Sequence, residues 1–251
     1  LDAIRVLLIQ ARNTEEMELQ EQTCFVERAR IDLAQFIPVN VVRDPIHLGL
    51  LDGVDALMIG GAGEYSALDD DPWMTDVLAL VKEAYDRDLP TFGSCWGHQL
   101  IARALGGMVI YDKERSEFGC GEIELTAAAA DDPLFQGLPP CFRANLGHHD
   151  RVVALPPAAV ELAFNVSQRN QAFRLGNKPF YGTQFHSELN AERERERLIA
   201  YRDLYLEELG SDADFQAVMD SLADTTEADH LLYDFLRLFV VDQVSIFPTE
   251  A

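Results

Sequence analysis

A cysteine flanked by glycines, and a histidine two residues before a glutamate, are the pieces of chemistry this sequence offers. In TFGSCWGHQL (91–100), Cys95 sits in a Gly-x-Cys-x-Gly pattern directly after an apolar run. Small residues on both sides permit the sharp strand-to-helix turn that lifts a central side chain above a sheet. Amides at the start of the new helix would face the same space, favouring a thiolate and offering donors to an oxyanion. A free cysteine is more often a small core residue, so the pattern needs partners. TQFHSEL (183–189) supplies them. His186 and Glu188 are two apart at the end of a predicted strand, a spacing that aims both side chains to one face. His186 can take the cysteine proton while Glu188 orients the imidazole and stabilises its charged form.

Such residues need a scaffold. IRVLLI (4–9), VNVVR (39–43), ALMIG (56–60) and PTFGS (90–94) are short, β-branched and apolar throughout, as strands covered on both faces would be. Helical spacing fills 15–36 and 72–87, the second behind the acidic, proline-containing start DDDPW (69–73), and a helix after Cys95 is predicted to end at Gly106–Gly107. This alternation predicts an α/β fold with an open, doubly wound, mostly parallel sheet and helices on both faces, Cys95 lying at a strand's carboxyl end where such sheets bind ligands. The middle of the chain differs in character, since GEIELT (121–126), RVVAL (151–155), VELAFN (160–165), QAFRL (171–175) and PFYGTQF (179–185) read as strands between turns. The tail is helical, with one helix expected over 191–209 and two more within 212–241. Residues 1–208 are expected to form the catalytic domain, with a helical extension over 209–251 packed on it. The apolar stretch DHLLYDFLRLFVV (229–241) either covers the sheet or, if exposed, docks a partner or forms a homodimer.

Composition narrows the partners. The 251 residues are 48% hydrophobic, enough for one substantial core, and no apolar run approaches the ~20 residues of a membrane helix. The formal net charge of −23 repels nucleic-acid phosphates and anionic lipid, so neither nucleic acid nor membrane is an expected partner. Four scattered cysteines (Cys24, Cys95, Cys120, Cys141) suggest neither a disulfide framework nor a metal site, and fit a reducing cytoplasm. The first residues, LDAIRVLLIQ, read as a strand rather than a signal peptide.

With these segments in place, the sequence resembles the class I glutamine amidotransferases, the Cys-His-Glu family. GSCWGHQL is similar to the family's nucleophile segment and QFHSEL to its His-x-Glu segment; IGGAGEYS (59–66) resembles its glycine-rich oxyanion strand and GHHDRV (147–152) its substrate loop. The order and spacing of all four agree, over about residues 4–205. GGAGEYSALDDDPW resembles stand-alone, GMP-synthase-like members more than other branches. The resemblance implies a flavodoxin-like sheet and a triad of Cys95, His186 and Glu188 that cleaves the side-chain amide of L-glutamine through a γ-glutamyl thioester. It implies an oxyanion hole from the backbone amides of Gly61 and Trp96, and substrate contacts from Gln99, Gly147 and His148. It implies no cofactor and no metal, and ammonia passed to a separate acceptor synthase, since the chain has no phosphate-binding GxxxxGK[ST] loop of its own. Three departures stand out: Ser187 between His186 and Glu188 where proline is usual, Ala62 where proline often follows the glycines, and His149 where glycine is common. A γ-glutamyl peptidase using the same triad is the alternative, with Trp96, Glu64, Tyr65 and His149 shaping the leaving-group side of the pocket. A non-catalytic binding protein of the same fold is a third reading, which the intact triad disfavours.

Overall fold

Along Val6–Ala11, successive side chains enter two different cores. Val6 and Leu8 join one apolar cluster, and Leu7, Ile9 and Ala11 join the other. The same split recurs at Ala56 and Met58 against Leu57 and Ile59, because side chains on a strand alternate between sheet faces. Continuous apolar runs are therefore what a sheet buried on both faces requires.

The computed structural model describes residue 1 and residues 3–246. In chain order the regular elements are β1 (Val6–Ala11), α1 (Glu15–Ala29), β2 (Phe36–Asn40), β3 (Ala56–Ala62), α2 (Met74–Asp86), β4 (Thr91–Ser94) and α3 (Trp96–Ala104). There follow β5 (Met108–Tyr111), β6 (Glu117–Leu125), β7 (Cys141–His148), β8 (Asp150–Ala154), β9 (Ala159–Phe164), β10 (Ala172–Leu175) and β11 (Phe180–Thr183). The chain then turns helical with α4 (Ala191–Ala200), α5 (Arg202–Leu209), α6 (Asp212–Ser221) and α7 (Leu231–Phe235), the last running into a π-helical turn over Leu236–Val241. One sheet has the order β2-β1-β3-β4-β11-β10-β9-β6-β7, while β5 and β8 form a separate ribbon. The strands from β2 to β11 in this order are parallel, and the remaining pairings are antiparallel.

Helices α2 and α3 cover one face through Val77, Leu80, Leu100 and Ile101. The other face is covered by α1 through Phe25 and by the tail through Leu231, Leu232, Phe235, Leu236 and Phe239. Phe235 meets Phe92 edge-on at 5.5 Å and Phe239 stacks on Tyr181 at 5.4 Å. Each such burial contributes about 1.5–3 kcal/mol. The apolar face of 229–241 is thus occupied by the sheet. Among the described residues, no helix is long and apolar enough to cross a membrane.

Several boundaries differ from those the sequence predicts. Helix α1 stops at Ala29 rather than 36, because Arg30 turns left-handed (φ 54°) and its amide closes on the Val26 carbonyl. Strand β2 lies at 36–40 rather than 39–43. Its Pro38 is tolerated because β2 is an edge strand bonded only to β1, while Asn40 folds 41–44 into a turn by accepting from the Asp44 amide at 2.8 Å. Strands β5 and β7 are additions to the predicted set. The helix predicted over 191–209 breaks at Tyr201 into α4 and α5.

Candidate active site

Two neighbouring parallel strands end level with each other, and the register Ser94↔Thr183 joins their last residues. The residues beyond each strand are therefore delivered to the same place: Cys95 after β4, and Gln184 to Glu188 after β11. The Cys95 amide donates to the Thr183 carbonyl at 2.8 Å, fastening the turn to the neighbouring strand. Cys95 itself has φ 51° and ψ −102°, a conformation that costs a non-glycine residue roughly 1–3 kcal/mol and is tolerated where the surrounding structure enforces it. Here the glycines do so by close approach. A side chain on Gly93 would put its Cβ 2.5 Å from the Gly97 carbonyl carbon, and one on Gly97 would collide with the Ile59 carbonyl of β3.

His186 lies across from the thiol. Its amide donates to the Asn145 carbonyl at 2.9 Å, and its Nδ1 is 2.7 Å from Glu188 Oε1. Glu188 is held further by the Ser94 hydroxyl on Oε2 at 2.6 Å and by Arg197 at 3.5 Å on Oε1. Burial pushes the Glu188 carboxyl up, but the charges of His186 and Arg197 and the hydrogen bonds from His186 and Ser94 overcome it and lower it to about 2. Burial also opposes a charged His186, yet Glu188 and the adjacent Cys95 raise the imidazole well above its ordinary value. A fixed carboxylate, an oriented imidazole and a thiol at a helix start can together carry acyl transfer through a thioester.

The other predicted residues occupy distinct positions. Gln99 lines the cavity over Cys95, and its Nε2 donates to the Asp150 carbonyl at 2.8 Å and to Gln184 Oε1 at 3.1 Å. Gly147 faces the nucleophile, its carbonyl 3.9 Å from Cys95 Sγ. The buried His148 ring is engaged at both nitrogens, with Nδ1 3.0 Å from the Asp150 carbonyl and Nε2 3.2 Å from Glu117 Oε2. Trp96 heads α3, where a helix leaves its first amides without an intrahelical partner. Gly61 departs from expectation. It lies near His186, but its amide donates to Glu21 Oε1 at 3.1 Å rather than into the cavity. The cause is a fully buried Glu21–Arg12 ion pair beneath the strand, whose carboxylate gathers donors from Gln10, Arg12 and Gly61. His98 is sealed against Phe173, and burial lowers it to about 3. Among the described residues, no group of three or more His, Cys, Asp or Glu side chains could hold a metal ion.

Some participants carry no motif that singles them out in the sequence. Gln184 Nε2 approaches Cys95 Sγ at 3.7 Å, and its spacing from His186 repeats the two-residue step that identifies Glu188. Helices α4 and α5 close the site from above: a Cβ on Gly147 would fall 3.2 Å from the Tyr205 hydroxyl, 3.6 Å from Glu194 Oε1 and 3.8 Å from His186 Nε2. Only tertiary packing brings these helices over the thiol.

Comparison with known proteins identifies the family and the fold. The family described as glutamine amidotransferase class-I matches residues 33–202. The chain is 37% identical over 174 residues to a glutamine-hydrolysing GMP synthase subunit of Methanosarcina barkeri, covering 69% of this chain and 85% of that one. It is 38% identical over 110 residues to the protein of the same name from Pyrococcus abyssi, covering 43% of this chain and 56% of that one. Like the P. abyssi match, those with Methanothermobacter thermautotrophicus and Thermococcus kodakarensis span less than two thirds of the relative, at 58% and 60% of its length. Among solved structures, a glutamine amidotransferase from Thermotoga maritima superposes with a TM-score of 0.75 at 23% identity, covering 96% of this chain and all of that one. One from Methylobacillus flagellatus superposes at 0.70 with 24% identity, covering 93% and 94%. At such identities the likeness concerns the fold.

Proposed function

The chain belongs to the class I glutamine amidotransferase family, and from that premise we propose that it hydrolyses the side-chain amide of L-glutamine to glutamate and ammonia. The observation that carries the proposal is Cys95, held at positive φ on its elbow beside an imidazole locked to a carboxylate at 2.7 Å. His186 takes the thiol proton and the thiolate attacks the amide carbon. The C–N bond breaks as the same imidazole protonates the departing ammonia, leaving a γ-glutamyl thioester. Water, deprotonated by His186, then releases glutamate. The Trp96 amide meets the developing oxyanion, and the Gly61 amide joins it once released from Glu21. Asp150, beside Gly147 and His148, supplies the carboxylate for the α-ammonium of the substrate. Relatives named as glutamine-hydrolysing GMP synthase subunits support a separate synthase as the acceptor of ammonia.

The test is glutamate release from glutamine by wild type and by Cys95→Ser. A loss of about 10³-fold or more is expected if the thiol is the nucleophile. Equal release by both proteins would remove Cys95 from the mechanism.

A further inference from the structure

The cavity over Cys95 encloses about 330 Å³ and is lined by five acidic residues: Glu64, Asp69, Asp150, Glu207 and Glu208. Among the described residues no lysine or arginine lines it. These carboxylates come from three separate segments, the loop after β3, the start of β8, and α5, so no single acidic run explains them. Some are already engaged. Asp69 accepts from the Ser66 amide at 2.7 Å, and one oxygen of Asp150 accepts from the Ser66 hydroxyl. The other Asp150 oxygen, Oδ1, has no hydrogen-bond partner although the residue is only 4% exposed. His149 Nε2 stands 3.6 Å from it. Glu64 Oε2 and Glu208 Oε2 are likewise shielded from water without a donor. An ammonium close to this set belongs to the half-exposed Lys113, 3.7 Å from Glu208 Oε2 and bonded to the Glu207 carbonyl at 3.5 Å.

Carboxylate oxygens withdrawn from water and left without donors favour a cationic ligand. Glutamine brings one ammonium and one carboxylate, so its α-ammonium answers Asp150, while Glu64 Oε2 is left without a donor and Glu208 is met only by the surface ammonium of Lys113 at 3.7 Å. The same cavity is also lined by Trp96, Phe118, Leu204 and Tyr205, which suits an alkyl chain and the flank of an ammonium.

We infer that this cavity takes γ-glutamyl amides whose amine portion ends in a second ammonium group, such as a γ-glutamyl diamine, and cleaves them with Cys95. The inference rests on the Cys95 chemistry proposed above and extends its substrate class. Asp150 receives the α-ammonium, and Glu64 with Glu208 receives the ammonium of the tail. The thiolate adds to the γ-carbonyl carbon and the C–N bond breaks. The diamine leaves with a proton from His186, and water cleaves the thioester C–S bond to give glutamate and regenerate the thiol.

Three probes with tails of similar length separate charge from size: γ-glutamylputrescine, γ-glutamyl-n-butylamide and γ-glutamyl-4-aminobutyrate, with glutamine measured alongside. The cationic tail is expected to exceed the neutral one in kcat/KM by about tenfold or more, and the anionic tail to fall below both. That advantage should shrink as salt is raised. Glu64→Gln and Glu208→Gln, checked for folding by thermal melting, should bring the cationic-to-neutral ratio towards one. Equal rates for the three tails, or preference for the anionic one, would overturn the inference; Cys95-dependent glutamine hydrolysis in the same assay would then leave the amidotransferase reading standing. Failure to cleave glutamine and all three probes would overturn both.

Discussion

Two buried carboxyl groups flank His186 and are treated in opposite ways. Glu188, in the loop after β11, receives His186, the Ser94 hydroxyl and Arg197, and is held ionised. Glu194, on the first turn of α4, is 1% exposed, has no partner for Oε2, and is pushed up by burial. A third carboxylate, Glu21, resembles Glu188 in being fully partnered, yet its partner is a structural arginine and its reach extends to the Gly61 amide. The Cys95–His186 side of the cavity is thus arranged in advance, whereas the Gly61 end of β3 is tied to a buried ion pair. Burial alone does not assign a carboxyl its role; its bonding partners do.

The comparison breaks most visibly if Glu188 is not the orienting charge. Glu188→Gln keeps the shape and removes the charge, and a fall of about 10²–10⁴-fold in kcat is expected from steady-state glutamate release. A near-wild-type rate would reduce Glu188 to a structural group.

Glu21 gives the next largest effect, on stability. Glu21→Leu strands Arg12 in the interior and should cost about 3–5 kcal/mol by urea unfolding. Adding Arg12→Met should recover most of that loss. The double variant also releases the Gly61 amide, so its kcat should exceed that of wild type. An unchanged kcat in a stable double variant would show that the Gly61 amide takes no part in the rate-limiting step.

The difference between Glu188 and an ordinary carboxyl can be read from pH. Its folded value is about 2 against 4.5 when unperturbed, so its stabilisation is fully present above pH 4.5 and is lost as pH falls towards 2. Over that window about 3 kcal/mol should disappear from the unfolding free energy, and Glu188→Gln should flatten that part of the curve. The same acid slope in the variant would assign the loss to other carboxylates.

How much of this is legible in the sequence depends on the range of the interactions. The elbow is legible because close backbone approach demands glycine at 93 and 97, and a demand that strict leaves a local mark. His186 and Glu188 are legible because both lie beyond one strand at the two-residue step, and Gln184 carries the same signal less visibly. Strand β7 does carry a period-two pattern, Phe142, Ala144 and Leu146 alternating with Arg143 and Asn145, but it lacks the continuous β-branched apolar run that marks the central strands. Tyr205 and Glu194 leave no mark at all. Their helix reads as a charged, solvated surface, and only the break at Tyr201 and the packing of Leu198, Phe215 and Leu222 lay it over the thiol. The Gly61–Glu21 bond is equally hidden, since it joins residues forty apart through a carboxylate that a helix pattern places among polar positions.

Glu194 supplies the smallest effect and the sharpest test of the contrast. A carboxyl whose folded value is raised retains its proton after the unfolded chain has lost its own. The folded state then binds more protons, and stability falls as pH rises above the unfolded value. This slope is opposite in sign to that from Glu188, although the two groups flank the same imidazole. Glu194→Gln keeps the size and removes the titration, so its melting temperature should exceed that of wild type at about pH 7.5 and converge with it near pH 4. A variant less stable than wild type at the higher pH would show that Glu194 is ionised and usefully paired, leaving the two sides of His186 alike.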